Sequence, residues 1–542
     1  MKTPQFKKGK LDQWTCIKKN KIIFWIAGFK SKDGLEDILN SIKNQKTLGK
    51  TLCKKIISYL GENFGIVIIS SKWTFAAVDY IRSYPIYWSY NNKLDELVFS
   101  SQANIIKYKN VDNTQLTAFR MSGYTVDNGT LWKEVKSLNA GQFLFYKNKN
   151  YFYQKEYFSY IPQENFIPSF TEYKIQLKKQ IHHILKNIIL AANGKTVIIP
   201  LSAGLDSRLI ASGLKHYNYK KVKCFSYGIK NNFEAKASKI IAKKLGYRWM
   251  FVNITHKKAS NFYKTKEYKN YIENSVDGCA TSTIQGLYAI HCLIKKKYIN
   301  KNDIIINGNS GDFISGGHIP KKIINNKIKN LKKNMNNIMQ YHYEKHYLLW
   351  ESLNSEKNKE IIKQGLYNQI KKNIKNKPLS LFSILEFLEF QNRQTKYVIN
   401  AQRIYDFYKI AWLLPLWNKS FIKFWETVPM SYKLNQRLYK ETLKELNLGN
   451  VWTKNFNINY FISPRWMFYL RLLLKVFFLF FGKKKWRVFE KKYLYYWSEN
   501  IYGYSSLTFF DFVRNKNIAR SYVSIYTLLA EKINLGKNWQ NK

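Results

Sequence analysis

The rhythm of apolar and polar positions changes along this chain. From residue 1 to about 160, short runs of aromatic and β-branched residues alternate or cluster between turn signals, at 22–29, 64–70, 73–78, 85–88, 97–100 and 142–146. Runs of that length and makeup predict strands. One helix, near 35–44 or 50–60, is expected to pack against them. Pro162 and Pro168 bracket a polar connection at 161–169. That connection sets the expected boundary between a first domain over 1–160 and a second over 170–542.

Past the boundary the period lengthens. A helix is predicted over about 173–192, then strands at 196–200 and 222–226. A helix at 233–245 ends at Gly246, followed by a strand at 249–253, a helix near 283–296 and a strand at 303–306. Strands alternating with helices of this size predict a doubly wound parallel sheet, so the fold class is α/β. Beyond about 345 the pattern is predominantly helical, and residues 321–340, rich in Lys and Asn, read as an exposed, mobile or helical insertion.

Open α/β sheets bind ligands beyond the carboxyl ends of their strands, so the chemistry is expected in the segments that follow them. Residues 197–208 read Val-Ile-Ile-Pro-Leu-Ser-Ala-Gly-Leu-Asp-Ser-Arg. A buried strand ends at Pro200 and a small-residue turn follows. Leu209, Ile210 and Leu214 then mark the buried face of a helix opening near Asp206. Outward N–H groups, the helix dipole and small side chains together make a phosphate cradle. A carboxylate, Asp206, is useful there only with a cation between it and the phosphates, which implies Mg²⁺. After strand 303–306 come Asn307-Gly308-Asn309-Ser310-Gly311-Asp312-Phe313-Ile314-Ser315-Gly316-Gly317, either a plain glycine-rich loop or a second ligand loop.

The segment from Pro200 to Ser207 resembles the pyrophosphatase loop (PP-loop, SGGxDS) of enzymes that cleave ATP to AMP and pyrophosphate. Its wording is closest to the asparagine synthetase family, PLSGGLDS. Ala203 stands in place of a family Gly, at a cost of about 1 kcal/mol if the position needs a positive φ. Residues 307–317 are similar to the family's second signature, SGEGSDExxGG. The resemblance implies that the loop Leu201, Ser202, Ala203, Gly204, Asp206 and Ser207 binds ATP and cradles pyrophosphate. It implies that Asp206 and Asp312 hold Mg²⁺. Tyr227, in Phe225-Ser226-Tyr227-Gly228, would border the nucleotide with Asn307 and Gly308. Glu234, opening the next helix beside Asn231, either joins this site or is a favourable first-turn charge.

Departures fall on the acceptor side. Asn309 replaces the family glutamate that handles the acceptor or incoming amine, and Phe313 replaces a second acidic residue. Leu414-Pro415-Leu416-Trp417-Asn418, continuing through Phe424, Pro429 and Leu438-Tyr439-Lys440, is similar to the PFLD segment and its following helices, with Asn418 for Asp. The family's catalytic lysine has its best counterpart in Lys454, one residue short in spacing; a solvated lysine is the alternative reading. Lys454 and Asn309 are thus the catalytic candidates.

The first domain resembles the class II amidotransferase (Ntn-hydrolase) half of the same family. Asp79-Tyr80-Ile81-Arg82-Ser83-Tyr84-Pro85-Ile86-Tyr87 is similar to DxxGxxPLYY. Phe99-Ser100-Ser101 is similar to FSSE, and Thr130–Lys133 with Leu138–Gly141 to TLFxxIxxLxPG. That half uses a cysteine directly after the initiator Met, with its own amine as base. Here Lys2 holds the position and Cys16 is internal. The resemblance implies an Ntn-like α+β sandwich lacking its glutaminase nucleophile. An adenine nucleotide α-hydrolase-like PP-loop domain and a helical C-terminal region would follow.

Composition adds less. Lys and Arg number 90 against 35 Asp and Glu, a formal charge of +55. The excess is diffuse rather than gathered in a tail, so no specific nucleic-acid partner is expected. The five cysteines are scattered without a CxxC pair, which reads as reduced thiols in a cytoplasmic protein. The N-terminus lacks the apolar core of a signal peptide, and no apolar run reaches the length of a membrane span. Residues 466–481 form an apolar run broken by Arg471 and Lys475, with Lys483, Lys484, Lys485 and Arg487 behind it. It reads either as a buried helix or as a peripheral membrane contact over 466–487, with cations at the head groups. On the second reading the protein is membrane-associated and the acceptor could be a lipid-linked sugar acid.

The function implied is an ATP-dependent, AMP-forming ligase. A carboxylate acceptor becomes an acyl-adenylate, which ammonia or another amine then attacks to give an amide. Family members with defective glutaminase halves occur in surface-polysaccharide pathways, among others. The alternatives are an intramolecular amide-forming cyclase of β-lactam or lasso-peptide type, a PP-loop tRNA-modifying enzyme and a non-catalytic nucleotide-binding relic. The sequence carries no signal for oligomeric state.

Overall fold

A computed structural model of the chain describes residues 3–541 apart from 12, 29–31, 43–48, 92, 107, 109, 149, 164–167, 321–330, 375–379, 453–463, 498–503, 515–520 and 538. Its N-terminal part is a two-sheet sandwich. Six antiparallel strands run in the order Tyr151–Glu156, Gln142–Asn148, Thr74–Val78, Gly65–Ile69, Ile22–Ala27 and Thr15–Lys19. Successive side chains on a strand point to opposite faces, and here both faces are covered. Phe24, Ile66, Ile68, Phe75, Phe143 and Phe145 share a core with the helices Lys32–Ile42 and Lys50–Tyr59. Val67, Ile69, Ala76, Val78 and Leu144 join the main core with Tyr87, Leu97 and Phe99 of a second sheet. That sheet is ordered Gln5–Lys7, Glu96–Ser100, Tyr87–Asn91 and Lys136–Ser137.

Each strand expected here forms, shifted by a few residues, and both candidate helices form where one was expected. The apolar pattern gives no sign of the strand Thr15–Lys19, which is exposed at four of its five positions and stands at the sheet's edge. Likewise the helix Asn113–Ser122 is announced only by its cap, Asp112, which accepts from the Thr114 and Gln115 N–H groups, each at 3.1 Å.

The second part is built on a five-stranded parallel sheet. Its order is Arg248–Asn253, Val222–Gly228, Val197–Pro200, Ile304–Ile306 and Ala411–Leu413. Val197, Ile198, Ile199 and the Ile304–Ile306 strand are buried, as a sheet covered on both faces requires. The helix Phe170–Ala192 enters this layer through a capping box in which the Ser169 hydroxyl accepts from Glu172 N–H at 3.2 Å. Chain order reverses between Val197–Pro200 and Ile304–Ile306, so the loops leaving these adjacent strands open a crevice. The fifth strand, Ala411–Leu413, is not foreseen, because three residues inside a helical stretch carry no period to read.

Further on the chain is helical. Leu331–His346, Glu356–Asn373 and Leu381–Leu388 pack over Ala118 and Met121 of the N-terminal part. The last of these helices widens into a π-helix over Glu389–Val398. Near the end, Tyr522–Leu535 returns to the N-terminal part, where Glu531 accepts two hydrogen bonds from Arg120 at 2.8 and 2.6 Å. All five cysteines are free, with Cys16 exposed.

Candidate functional site

The crevice at the reversal point is a cavity of about 580 Å³. Leu201, Ser202, Gly204, Asp206 and Ser207 line it from the first loop, and Asn307, Gly308, Asn309, Ser310 and Asp312 from the second. Tyr227 and Glu234 close one side, and Tyr405 and Gln436 another. The crevice thus gathers Tyr227 and the sequence-derived candidates of the two loops except Ala203, which does not line it. Lys454 lies outside the described residues; Trp452, just before it, packs on Arg208 of the loop helix with the guanidinium 5.2 Å from its ring.

Gly204 caps the helix Leu205–His216. Two hydroxyls brace the turn. Ser207 Oγ accepts from Ser202 N–H at 3.1 Å, and Ser202 Oγ accepts from Gly204 N–H at 3.1 Å. Arg208 donates to the Ala203 carbonyl at 2.6 Å from the far side of the turn. Ala203 does not take a positive φ, so its methyl group adds no backbone strain.

The second loop lies directly on the first. A Cβ at Gly308 would stand 2.8 Å from Ser207 N, and one at Gly311 would stand 2.4 Å from Asp206 Oδ1. Asp312 N–H donates to Asp206 Oδ2 at 3.0 Å, and the Tyr439 hydroxyl donates to Asp206 Oδ1 at 3.1 Å. Ser310, where the signature SGEGSDExxGG has Gly, sits at φ 71°. Its hydroxyl donates to Gln394 Oε1 at 2.7 Å, which holds the left-handed turn in place of a glycine. Phe313 points away from the cavity into the core, against Tyr160 and Trp417.

Electrostatics separate the two carboxylates. Burial, then the charge of Asp312, pushes Asp206 up to about 7, against the opposing hydrogen bond from Tyr439. Burial also raises Asp312, but the hydrogen bond and charge of His318 outweigh it and hold Asp312 below its ordinary range. His318 Nε2 lies 3.2 Å from Asp312 Oδ2, and His318 Nδ1 bonds Glu389. These two carboxylates raise His318 to about 9 despite its burial. Glu389, itself buried, also takes Lys345 at 3.0 Å and His346 at 3.2 Å. Sequence reasoning missed Tyr439's role, His318 and Glu389. His318 directly follows Gly316-Gly317, which was the one local signal for it.

Asn418, which stands where the PFLD segment has Asp, caps the helix Lys419–Thr427. Its amide nitrogen donates to both Glu62 carboxylate oxygens at 2.9 Å, tying the parallel-sheet part to the N-terminal sandwich.

A parallel α/β sheet with a braced small-residue loop and a glycine-packed partner loop at its reversal point defines a nucleotide-binding α/β protein. The asparagine synthase family profile matches residues 193–449, which contain both loops. The domain is a ligase-type, ATP-using domain of the asparagine synthase kind. A comparison with curated proteins found no match.

Proposed function

We propose that this protein is an AMP-forming carbon–nitrogen ligase that activates a carboxylate and passes it to ammonia or another amine. The observation that carries the reading is the direct seating of the second loop on the first, with the Asp312 N–H donating to Asp206 at 3.0 Å beside a cavity of about 580 Å³. In the reaction, an acceptor carboxylate oxygen bonds the α-phosphorus of ATP while the bond to pyrophosphate breaks. The amine then displaces AMP from the acyl carbon.

The helix Leu205–His216 opens at this turn, and the positive end of its dipole would stabilise the departing pyrophosphate. Tyr227 borders the nucleotide, and Asn309 lies on the side where acceptor and amine would meet. Among the described residues no cluster of three or more His, Cys, Asp or Glu is set to hold a metal. Two carboxylates facing phosphate still fit Mg²⁺, which binds through one or two carboxylates, substrate phosphates and water. Asp206 and Asp312 would hold it, and its chemistry is to neutralise charge on the leaving pyrophosphate. His318 and Tyr439 orient those carboxylates. Lys454 is kept as the candidate lysine for the adenylation step.

Glutamine is not the expected nitrogen source. Cys16 is the second residue of the strand Thr15–Lys19, paired opposite Trp25, and carries no free amine. Ammonia should therefore support amide formation better than glutamine. Pyrophosphate release with a panel of carboxylic acids tests the ligase reading, and no acid-dependent release would overturn it. A parallel glutaminase assay with Cys16→Ala tests the nitrogen source. Glutamate release that matches ATP use and disappears in the variant would show that Cys16 is the nucleophile after all. A surface-polysaccharide acceptor would appear in the panel as a preference for sugar acids.

A further inference from the structure

The C-terminal helical hairpin is the part of the molecule that the ligase reading leaves unused. Arg465–Phe477 and Gly482–Phe489 pack on each other through Met467, Trp486 and Phe478, whose ring lies 5.5 Å from Trp486 and 4.8 Å from Phe489. Arg471 closes the pair by donating to Glu490 at 2.6 Å. The rest of the apolar run is not covered. Among the described residues, twelve of the nineteen exposed large hydrophobic side chains fall between 466 and 488. They include Trp466, Leu473 and Val476, and they culminate at the hairpin tip, where Leu479 is 72% and Phe480 88% exposed. Scattered exposed apolar residues are ordinary, but a contiguous patch of this kind marks an interaction surface.

Charge says what covers it. Residues 465–489 contain Arg465, Arg471, Lys475, Lys483, Lys484, Lys485 and Arg487 and no Asp or Glu. A second copy of the chain would bring like charges together, in a protein already at +55. An anionic lipid surface offers both an apolar interior for the tip and phosphates for the cations. Length sets the depth. Thirteen helical residues reach about 20 Å, short of the roughly 30 Å hydrocarbon core. Among the described residues no helix is long and apolar enough to cross a membrane.

We propose that the hairpin 465–489 inserts its tip into one leaflet of an anionic membrane, with Lys483, Lys484 and Lys485 held at the phosphates. The full-length protein is tested by flotation with vesicles of phosphatidylcholine alone or mixed equally with phosphatidylglycerol. Binding to the mixed vesicles should exceed binding to the neutral ones by about tenfold or more and weaken with salt. The variant Leu473→Ser/Phe477→Ser/Phe480→Ser changes exposed positions, keeps every charge and should lose most of that binding. Lys483→Gln/Lys484→Gln/Lys485→Gln should lose the lipid preference. Brominated lipid should quench the wild type more than Trp466→Phe.

Equal binding by the serine variant would mean general adsorption of a basic protein and would overturn insertion. So would failure of the wild type to float. Self-association in sedimentation, abolished by the same serine changes and without flotation, would assign the patch to a second copy instead.

Discussion

Asp206 carries the sharpest consequence at the residue scale. In the free protein it is raised from 3.8 to about 7 by burial and by the neighbouring Asp312 charge. A metal-phosphate complex needs the carboxylate, so Mg-ATP affinity and turnover should rise with pH through about 7 and fall below it. Stability runs the other way. The folded state holds a proton that the unfolded chain gives up between about 4 and 7, so this group's contribution falls as pH rises through that window. Asp206→Asn should therefore lower turnover on the order of a hundredfold. The metal-free variant should melt no lower than the wild type at pH 8 in a thermal scan; a lower melting point would mean that Asp206 supports the fold. Isothermal calorimetry with Mg-ATP checks the binding loss, and Asp312→Asn should follow it. Asp206 and Asp312 could be read from the chain because each sits within a few residues of its own small-residue turn. Glu389 could not. It meets His318 across 71 residues of sequence, from a π-helix that no hydrophobic period announces.

The two loops act as one element because their backbones touch. Gly308→Ala would drive a methyl group against the Ser207 and Asp206 backbone, and Gly311→Ala would push the Asp206 carboxylate aside. Both should fold, as circular dichroism would show, yet lose at least about tenfold in pyrophosphate release, since small displacements at a reacting centre are costly. Elsewhere the chain has kept a turn while changing its residue. Arg82 occupies the glycine of DxxGxxPLYY at φ 60°. Its guanidinium donates to Tyr87 Oη at 2.7 Å and Ser137 Oγ at 3.0 Å, offsetting about 1 kcal/mol of left-handed strain. Arg82→Ala keeps the strain and loses the bonds, so denaturant unfolding should show a loss of about 2–4 kcal/mol. Strands with buried, β-branched runs were legible before the structure. Edge strands such as Thr15–Lys19 were not, because their pairing is chosen by the neighbour, Ile22–Ala27.

Across the whole molecule, the sandwich and the parallel sheet share a single apolar core, from Val78 and Tyr87 through Ile198 and Leu209 to Trp417. Polar ties reinforce it. Tyr87 donates to Asp277 at 2.5 Å, Arg403 to the Ser83 carbonyl at 2.7 Å and Lys396 to the Thr125 carbonyl at 2.8 Å. Asn418→Asp would set a second carboxylate against Glu62 and should cost about 1–3 kcal/mol, read as a lower melting temperature. Scanning calorimetry should give one cooperative transition for the full chain, and a fragment over 170–542 should be insoluble when expressed alone. Two separate transitions would contradict the shared core. None of these ties was legible beforehand, since each joins residues far apart in sequence.

That shared core also bears on inheritance. A lineage can change the sandwich's exposed residues one substitution at a time. It cannot delete the sandwich in one event, because the surviving half would then carry a bare wall of leucine, isoleucine and tryptophan into water. The N-terminal part is thus held in place as the inner lining of its neighbour, apart from any chemistry of its own.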